Sequence, residues 1–382
     1  MDKKTFVIFS LACLMSLNVS LAHAGDEAAR ATPQVLSEST SKAANVEEKS
    51  DVQAAQDLHQ VGLDFFEKQL YEESLAKYEE VIARFGEASE PEVGTEVVRA
   101  MNSKALVLCK MERLQEAIAV YDALIVRLSN ASEPEMHEQL AWAMLSKGFT
   151  ISLQGKYLSA EALAAYDALI VRFGHASEPK VRKVVVPGML LKGLLFAISN
   201  RHQEAVEVYD ALAERFGGDS DVEVREQVAR AMIRKGESLG EMKRLEDAIA
   251  AYDEVITRFS EASEPKVREQ VASAMISKGE TLGKLNRLEE AIAVYNALIA
   301  RFGNTPRPEV RRIVVVGMFF KGKVLDEMSR PKEAIAVYDE VIKRFGDPSE
   351  PEMRDLLAMA MIRKGEILSK MNHPANILQI KR

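Results

Sequence analysis

The chain is poor in the residues that chemistry usually needs. Its 382 residues hold two Cys, six His and one Trp. Cys13 lies in the apolar N-terminal stretch, so Cys109 is left alone after processing there. One thiol cannot form an internal disulfide. Cys109 reads as a small, buried, structural residue on a helix rather than a reactive thiol. His59, His137, His175, His202 and His373 are scattered. No His-x-x-x-His, Cys-x-x-Cys, nucleophile elbow or phosphate-binding Gly loop occurs. These absences argue against an enzyme, a cofactor and a metal site. Net charge is −8 and no basic run offsets it. That disfavours nucleic acid as a partner. No segment carries a strand pattern.

The segment from Met1 to Ala24 stands apart. Lys3 and Lys4 precede a mostly apolar stretch from Phe6 to Leu21, and Ala22-His23-Ala24 follows. This is the layout of a removable export signal. The stretch is shorter than the ~20 residues that span a bilayer. Ser10 occupies the place where a lipid-attachment signal wants Leu. The expectation is a signal peptide over 1–24 and a mature chain without a membrane span, periplasmic or secreted. Residues 25–52 are rich in Ala, Glu, Ser and Thr and lack apolar periodicity. They read as a flexible linker.

A repeat then takes over. Tyr78, Tyr121, Tyr166, Tyr209, Tyr252, Tyr295 and Tyr338 are spaced by 43 residues, once by 45. Such a period marks a stacked repeat array, here residues 53–382. In the unit from Ser220, Ser220-Asp221-Val222-Glu223 reads as a capping box, repeated by Ser89 with Glu92, Ser132 with Glu135 and Ser349 with Glu352. Pro91, Pro134, Pro179, Pro265, Pro308 and Pro351 mark helix starts. Val224, Val228, Met232, Gly236 and Leu239 share one helical face, and Leu245, Ala248, Ile249, Tyr252, Val255, Ile256 and Phe259 form the stripe of a second helix. Gly86, Gly174, Gly217, Gly303 and Gly346 read as stops of second helices. Two extra residues near Gly155 to Leu158 fall in a turn.

Gly236, Ala248 and Tyr252 stand at the spacing of the Gly, Ala and aromatic residue of the tetratricopeptide repeat, which this chain resembles. Gly62, Gly148, Gly193, Gly279, Gly322 and Gly365 match the same Gly. The resemblance covers about Gln53 to Met371. The family unit is roughly 34 residues long. This one is nine longer, which adds about two turns to the first helix. The resemblance implies an all-α, right-handed solenoid of about seven helix pairs, closed by a C-terminal capping helix from Pro351 to Met371. It also implies binding of peptides or partner proteins on the inner face, without catalysis.

Three further patterns bear on function. Met101, Met144, Met189, Met232, Met275, Met318 and Met361 recur four residues before the Gly. Packed helices lie roughly 10 Å apart, too far to share an ion, so these are core residues rather than a copper track. Lys104, Lys147, Lys192, Lys235, Lys278, Lys321 and Lys364 face a ladder of Asp122, Asp167, Asp210, Asp253 and Asp339, and are expected to pair with it. The first helices at Val181 and Val310 have little polar face, so a partner, a second copy or a neighbouring unit should cover them.

What varies between units is the row six and three residues before the Gly and one after it. It contains the expected partner-binding residues Trp142, Phe149, Leu190, Leu194 and Phe319. The alternative for Trp142 is burial caused by the longer first helix. The resulting expectation is a non-enzymatic scaffold for a protein or peptide. The second is a self-associating structural array of the cell envelope.

Overall fold

Proline sets the beginning of most first helices. Its ring fixes φ at about −65°. It donates no amide hydrogen, which a first helical residue does not need. In the computed structural model, Pro91, Pro134, Pro179, Pro265, Pro308 and Pro351 each open a helix. The structure describes residues 50–155, 159–346 and 351–372. These form fifteen helices and no strand. In order they are α1 (Asp51–Glu67), α2 (Tyr71–Phe85), α3 (Pro91–Lys110), α4 (Leu114–Leu128), α5 (Pro134–Leu153), α6 (Ala160–Phe173), α7 (Pro179–Ile198) and α8 (His202–Phe216). Then come α9 (Val222–Glu241), α10 (Leu245–Arg258), α11 (Pro265–Lys284), α12 (Leu288–Phe302), α13 (Pro308–Glu327), α14 (Pro331–Phe345) and α15 (Pro351–Asn372). The first helices α3, α5, α7, α9, α11 and α13 are all 20 residues long. The array is thus seven antiparallel pairs followed by one lone helix among the described residues. The export signal and nearly all of the linker lie outside the described residues; α1 begins two residues before the expected boundary.

The helix starts differ from the capping-box expectation by one residue. Glu90 caps α3 and Asp221 caps α9, so Ser89 and Ser220 stand outside. α5 starts at Pro134, which displaces Ser132 likewise. Ser349 lies outside the described residues. The reason is steric: the residue before a proline is held extended, and this is the conformation of a cap. Where Val222 replaces the proline, a side chain takes over. The Asp221 carboxylate accepts from the amides of Glu223 at 2.9 Å and Val224 at 3.3 Å.

The turns inside the pairs hold a feature that sequence reading missed. Gln69, Glu112, Gly155, Asn200, Lys243, Asn286 and Ser329 all have φ between 57° and 79°. They keep the repeat spacing, yet only one is Gly. The left-handed residue lets the next amide reach back, as Arg244 N does to Leu239 O at 2.9 Å. The second-helix stops behave in the opposite way. Gly86, Gly174, Gly217 and Gly303 are right-handed, with φ of −58°, −62°, −62° and −59°. Their need is space, not handedness. A Cβ at Gly86 would lie 2.5 Å from Ile82 O, and one at Gly174 would lie 2.6 Å from Arg215 Nη1.

The chain divides into two compact units, Met1–Leu124 with Phe149–Tyr157, and Ile125–Gly148 with Leu158–Arg382. The division passes through α4 and α5. In the first unit α1, α2 and α3 pack together around Ala55, Leu75, Tyr78, Val93 and Val97. In the second, each helix packs on its sequence neighbours, and first helices also touch the next first helix, as α9 does α11. The neighbours bury Val184, Val185 and Val186 of α7 and Val314 and Val315 of α13. Neighbouring units therefore cover most of the apolar excess expected on these two helices.

All seven ladder tyrosines are buried. Each large apolar side chain so covered contributes about 1.5–3 kcal/mol. Met144, Met189, Met232, Met275 and Met318 are buried as expected, while Met101 is half-buried and Met361 is half exposed. Met361 sits on α15, where no second helix follows among the described residues.

Candidate interaction face

The row beside the repeat glycines recurs on the first helix of every pair and on α15. In α7 it presents Pro187, Leu190 and Leu194, all half-buried. In α9 it presents Arg230, Ile233 and Glu237, and in α11 Ser273, Ile276 and Glu280. The three aromatic residues expected to anchor a partner lie deeper. Trp142, Phe149 and Phe319 are 4%, 5% and 7% exposed. Phe319 stacks edge-on against Phe320 at 5.8 Å and lies 6.0 Å from the Tyr338 ring. Positions three before the Gly meet the next first helix directly, as Leu145 meets Gly188 and Ile276 meets Gly317. Leu190 and Leu194 keep an accessible edge. Among the described residues the buried Trp142 Nε1 has no hydrogen-bond partner.

On the row itself α9 and α11 carry the acids Glu237 and Glu280, while α13 carries Lys323. Glu280 is half-buried, and that burial pushes its carboxyl up from the usual range against the opposing charges of Lys284 and Lys323, with Glu237 adding to the rise. Glu269 is pushed up for the same reason, with Glu226 and Glu309 as further acidic neighbours.

In the first unit, His59 of α1 meets two side chains of α3. Its Nδ1 lies 3.4 Å from Glu96 Oε2, and its Nε2 lies 3.1 Å from Ser103 Oγ. Arg99 Nη1 donates to Glu96 Oε1 at 2.7 Å. The order Ser, His, acid matches a hydrolytic relay in distance alone. All three residues lie inside helices, whose amides are committed to their own carbonyls. The cluster ties α1 to α3.

Two ladders brace the stack behind the row. Lys235 pairs with Asp210 at 2.5 Å, Lys278 with Asp253 at 2.6 Å, and Lys364 with Asp339 at 2.5 Å. Lys192 pairs with Asp167, and Lys104 pairs with Glu79 at 2.9 Å. Each lysine reaches back from a first helix to the second helix before it. This bears out the structural reading of the lysines. The second ladder escaped the sequence reading. Arg172 Nη2 donates to Ser129 O at 2.8 Å and Arg344 Nη2 to Gly303 O at 2.8 Å. Arg301 reaches Ser260 O. Each guanidinium closes the C-terminal end of the preceding second helix, where the dipole favours a cation. The signal was available: Arg84, Arg127, Arg172, Arg215, Arg258, Arg301 and Arg344 follow the same period.

Among the described residues no group of three or more His, Cys, Asp or Glu could hold a metal ion, and no helix is long and apolar enough to cross a membrane. No curated protein matches the sequence. The apo form of RapI matches in structure with a TM-score of 0.55 at 11% identity, over 82% of this chain and 82% of that one. The tetratricopeptide-sensor STAND protein PH0952 of Pyrococcus horikoshii matches with a TM-score of 0.50 at 12% identity, over 81% of this chain and 45% of that one. Residues 62–133 and 233–306 match the tetratricopeptide repeat family model. The family model thus identifies residues 62–133 and 233–306 as tetratricopeptide repeats, and the helix pairs with their Gly–Tyr packing give the rest of the array the same fold.

Proposed function

We propose that this chain is a non-enzymatic scaffold that binds a protein or peptide along the row beside the repeat glycines. The observation that carries the reading is where the repeat varies. The Tyr, Gly, Lys and Arg ladders are nearly uniform, as a stack requires. The row changes from apolar Pro187, Leu190 and Leu194 to acidic Glu237 and Glu280 over two units. An amphipathic segment with an apolar end and a basic end suits that order. Leu190 and Leu194 are its apolar contacts, while Trp142, Phe149 and Phe319 support the row from beneath. Export, to the periplasm or beyond, belongs to the same proposal and rests on the N-terminal charge and apolar pattern.

Selection of peptides from a random display library tests the binding face. Selected peptides should lose at least tenfold in affinity when Leu190→Glu and Leu194→Glu are combined. They should keep it with Val171→Glu, which lies on an exposed second-helix position. The reverse order moves the binding face off the row. Amino-terminal sequencing of the protein from fractionated cells tests export; an intact Met1 in the cytoplasm rejects it.

A further inference from the structure

The residue eleven before the Gly is Arg182 in α7, Arg225 in α9, Arg268 in α11, Arg311 in α13 and Arg354 in α15. Arg182 shows what the position does. Its Nε donates to Asp219 Oδ2 at 2.6 Å, in the approach to α9. Its Nη1 donates to the carbonyl of Ser177, in the approach to its own helix. Arg225 lies 3.3 Å from Glu264, the cap of α11, and 5.7 Å from the centre of the Phe259 ring. Arg268 keeps the ring contact, 5.5 Å from the centre of Phe302. A guanidinium stays charged throughout the range in which proteins fold.

In α5 the same position is His137. It makes the same three kinds of contact. Its Nδ1 lies 3.2 Å from an oxygen of Glu178, the cap of α7. Its Nε2 lies 3.1 Å from Ala131 O, in the approach to α5. Its ring centre is 5.8 Å from that of Phe173. All four residues belong to the second compact unit. Both oxygens can only accept. A carbonyl has no proton to give. The Glu178 carboxyl is held below the usual carboxylate range by its own backbone amide and by His137. A neutral imidazole carries one N–H and one lone pair, so only the imidazolium can donate to both oxygens at once.

We propose that His137 is a proton-operated tie between α5 and the cap of α7, set in a ladder whose later members are permanently charged. With its proton the ring donates to both approaches. Without it, one nitrogen turns a lone pair on an oxygen, and that contact is lost. The other charged groups nearby are engaged elsewhere. Glu133, just before α5, accepts from the Ser132 amide at 3.1 Å. Arg172 of α6 lies 5.5 Å from the centre of the Phe173 ring and donates to Ser129 O. Lys180 of α7 lies 3.6 Å from Glu138 of α5. His175 is exposed in the connection from α6 to α7. Imidazole is the side chain that changes charge between about pH 5 and 8. The fastened form binds the proton, so the tie holds in acid and slackens as pH rises. None of this depends on the proposed peptide row.

Hydrogen exchange of the full chain tests the tie. It is read by mass spectrometry at pH 5.5 and pH 8 and corrected for the intrinsic rate of an unprotected peptide. Residues 138–147 of α5 should open about fivefold more often at pH 8, the scale of one charge-assisted hydrogen bond. Residues 226–238 of α9, behind Arg225, should keep their protection. His137→Arg installs the ladder's own residue and should make α5 behave as α9 does. Glu178→Gln should also remove the pH dependence, because an amide can offer either a proton or an oxygen to the ring. Equal protection of α5 at both pH values in the unaltered chain overturns the proposal, and that measurement needs no variant to fold. A pH dependence that survives His137→Arg overturns it too, and moves the effect to another group such as His175.

Discussion

Gly236 leaves the space that Tyr252 fills. A Cβ at residue 236 would lie 2.5 Å from Tyr252 Cε1, closer than any real side chain tolerates. The same approach recurs between Gly62 and Tyr78, Gly279 and Tyr295, and Gly322 and Tyr338. It ties the two helices of these pairs at one depth; in the pair of α3 and α4 the Gly position is Ala105. At Gly365 a Cβ would meet nothing within 4 Å among the described residues, which include no second helix after α15.

Tyr252→Ala should therefore cost about 3–5 kcal/mol, the range for an emptied aromatic site. Gly236→Ala should cost about 1–3 kcal/mol through overpacking. The double variant should cost less than the sum, because the ring that the added methyl group strikes is gone. Asp253→Ala, one residue on, removes only a part-exposed ion pair and should cost about 0–1 kcal/mol. Urea unfolding followed by circular dichroism measures all four. Additive effects at 236 and 252 would break the pairing argument.

The left-handed turns predict a gain of stability. Lys243 is exposed and holds φ at 63°. A non-Gly residue there costs roughly 1–2 kcal/mol more than Gly. Lys243→Gly should recover about 1 kcal/mol, offset partly by the greater freedom of Gly when unfolded. Gly155→Ala should move the other way. A shift of the urea midpoint downward for Lys243→Gly would refute the account of the turn.

The buried tyrosines predict an alkaline limit. Burial pushes Tyr78 and Tyr338 up to about 12 and raises Tyr209, Tyr252 and Tyr295 further. The folded chain thus holds phenolic protons that the unfolded chain releases near pH 10. Their contribution is whole below about pH 10 and falls as pH climbs through 12. Absorbance at 295 nm should show most tyrosinate appearing together with loss of helix. Free titration of all tyrosines at pH 10 with the helix intact would contradict their burial.

Cys109 should be a slow thiol. Burial pushes its pKa up, and its Sγ lies 3.3 Å from Thr150 Oγ1. Reaction with a disulfide reagent at pH 8 should be at least tenfold slower than in urea. Equal rates would reopen a reactive role.

The sequence by itself determined the repeat, the helix pair, the helix starts and which face of each helix is apolar. Those features follow from regular spacings, within a helix and between units, which a chain displays without folding. It also determined the Lys–Asp partnership, because both ladders recur through the array; the Gly–Tyr contact inside each of several pairs came from the structure. Only the tertiary structure decided how deep an apolar residue sits. Trp142, Phe149 and Phe319 share a row with Leu190 and Leu194, yet the aromatic residues are buried and the leucines are half exposed. The difference depends on what the next first helix, one repeat away, brings against them. The same rule leaves Ile362 bare while Ile233 is covered. Local pattern fixes the direction a side chain takes, and the neighbour in the stack fixes whether water reaches it.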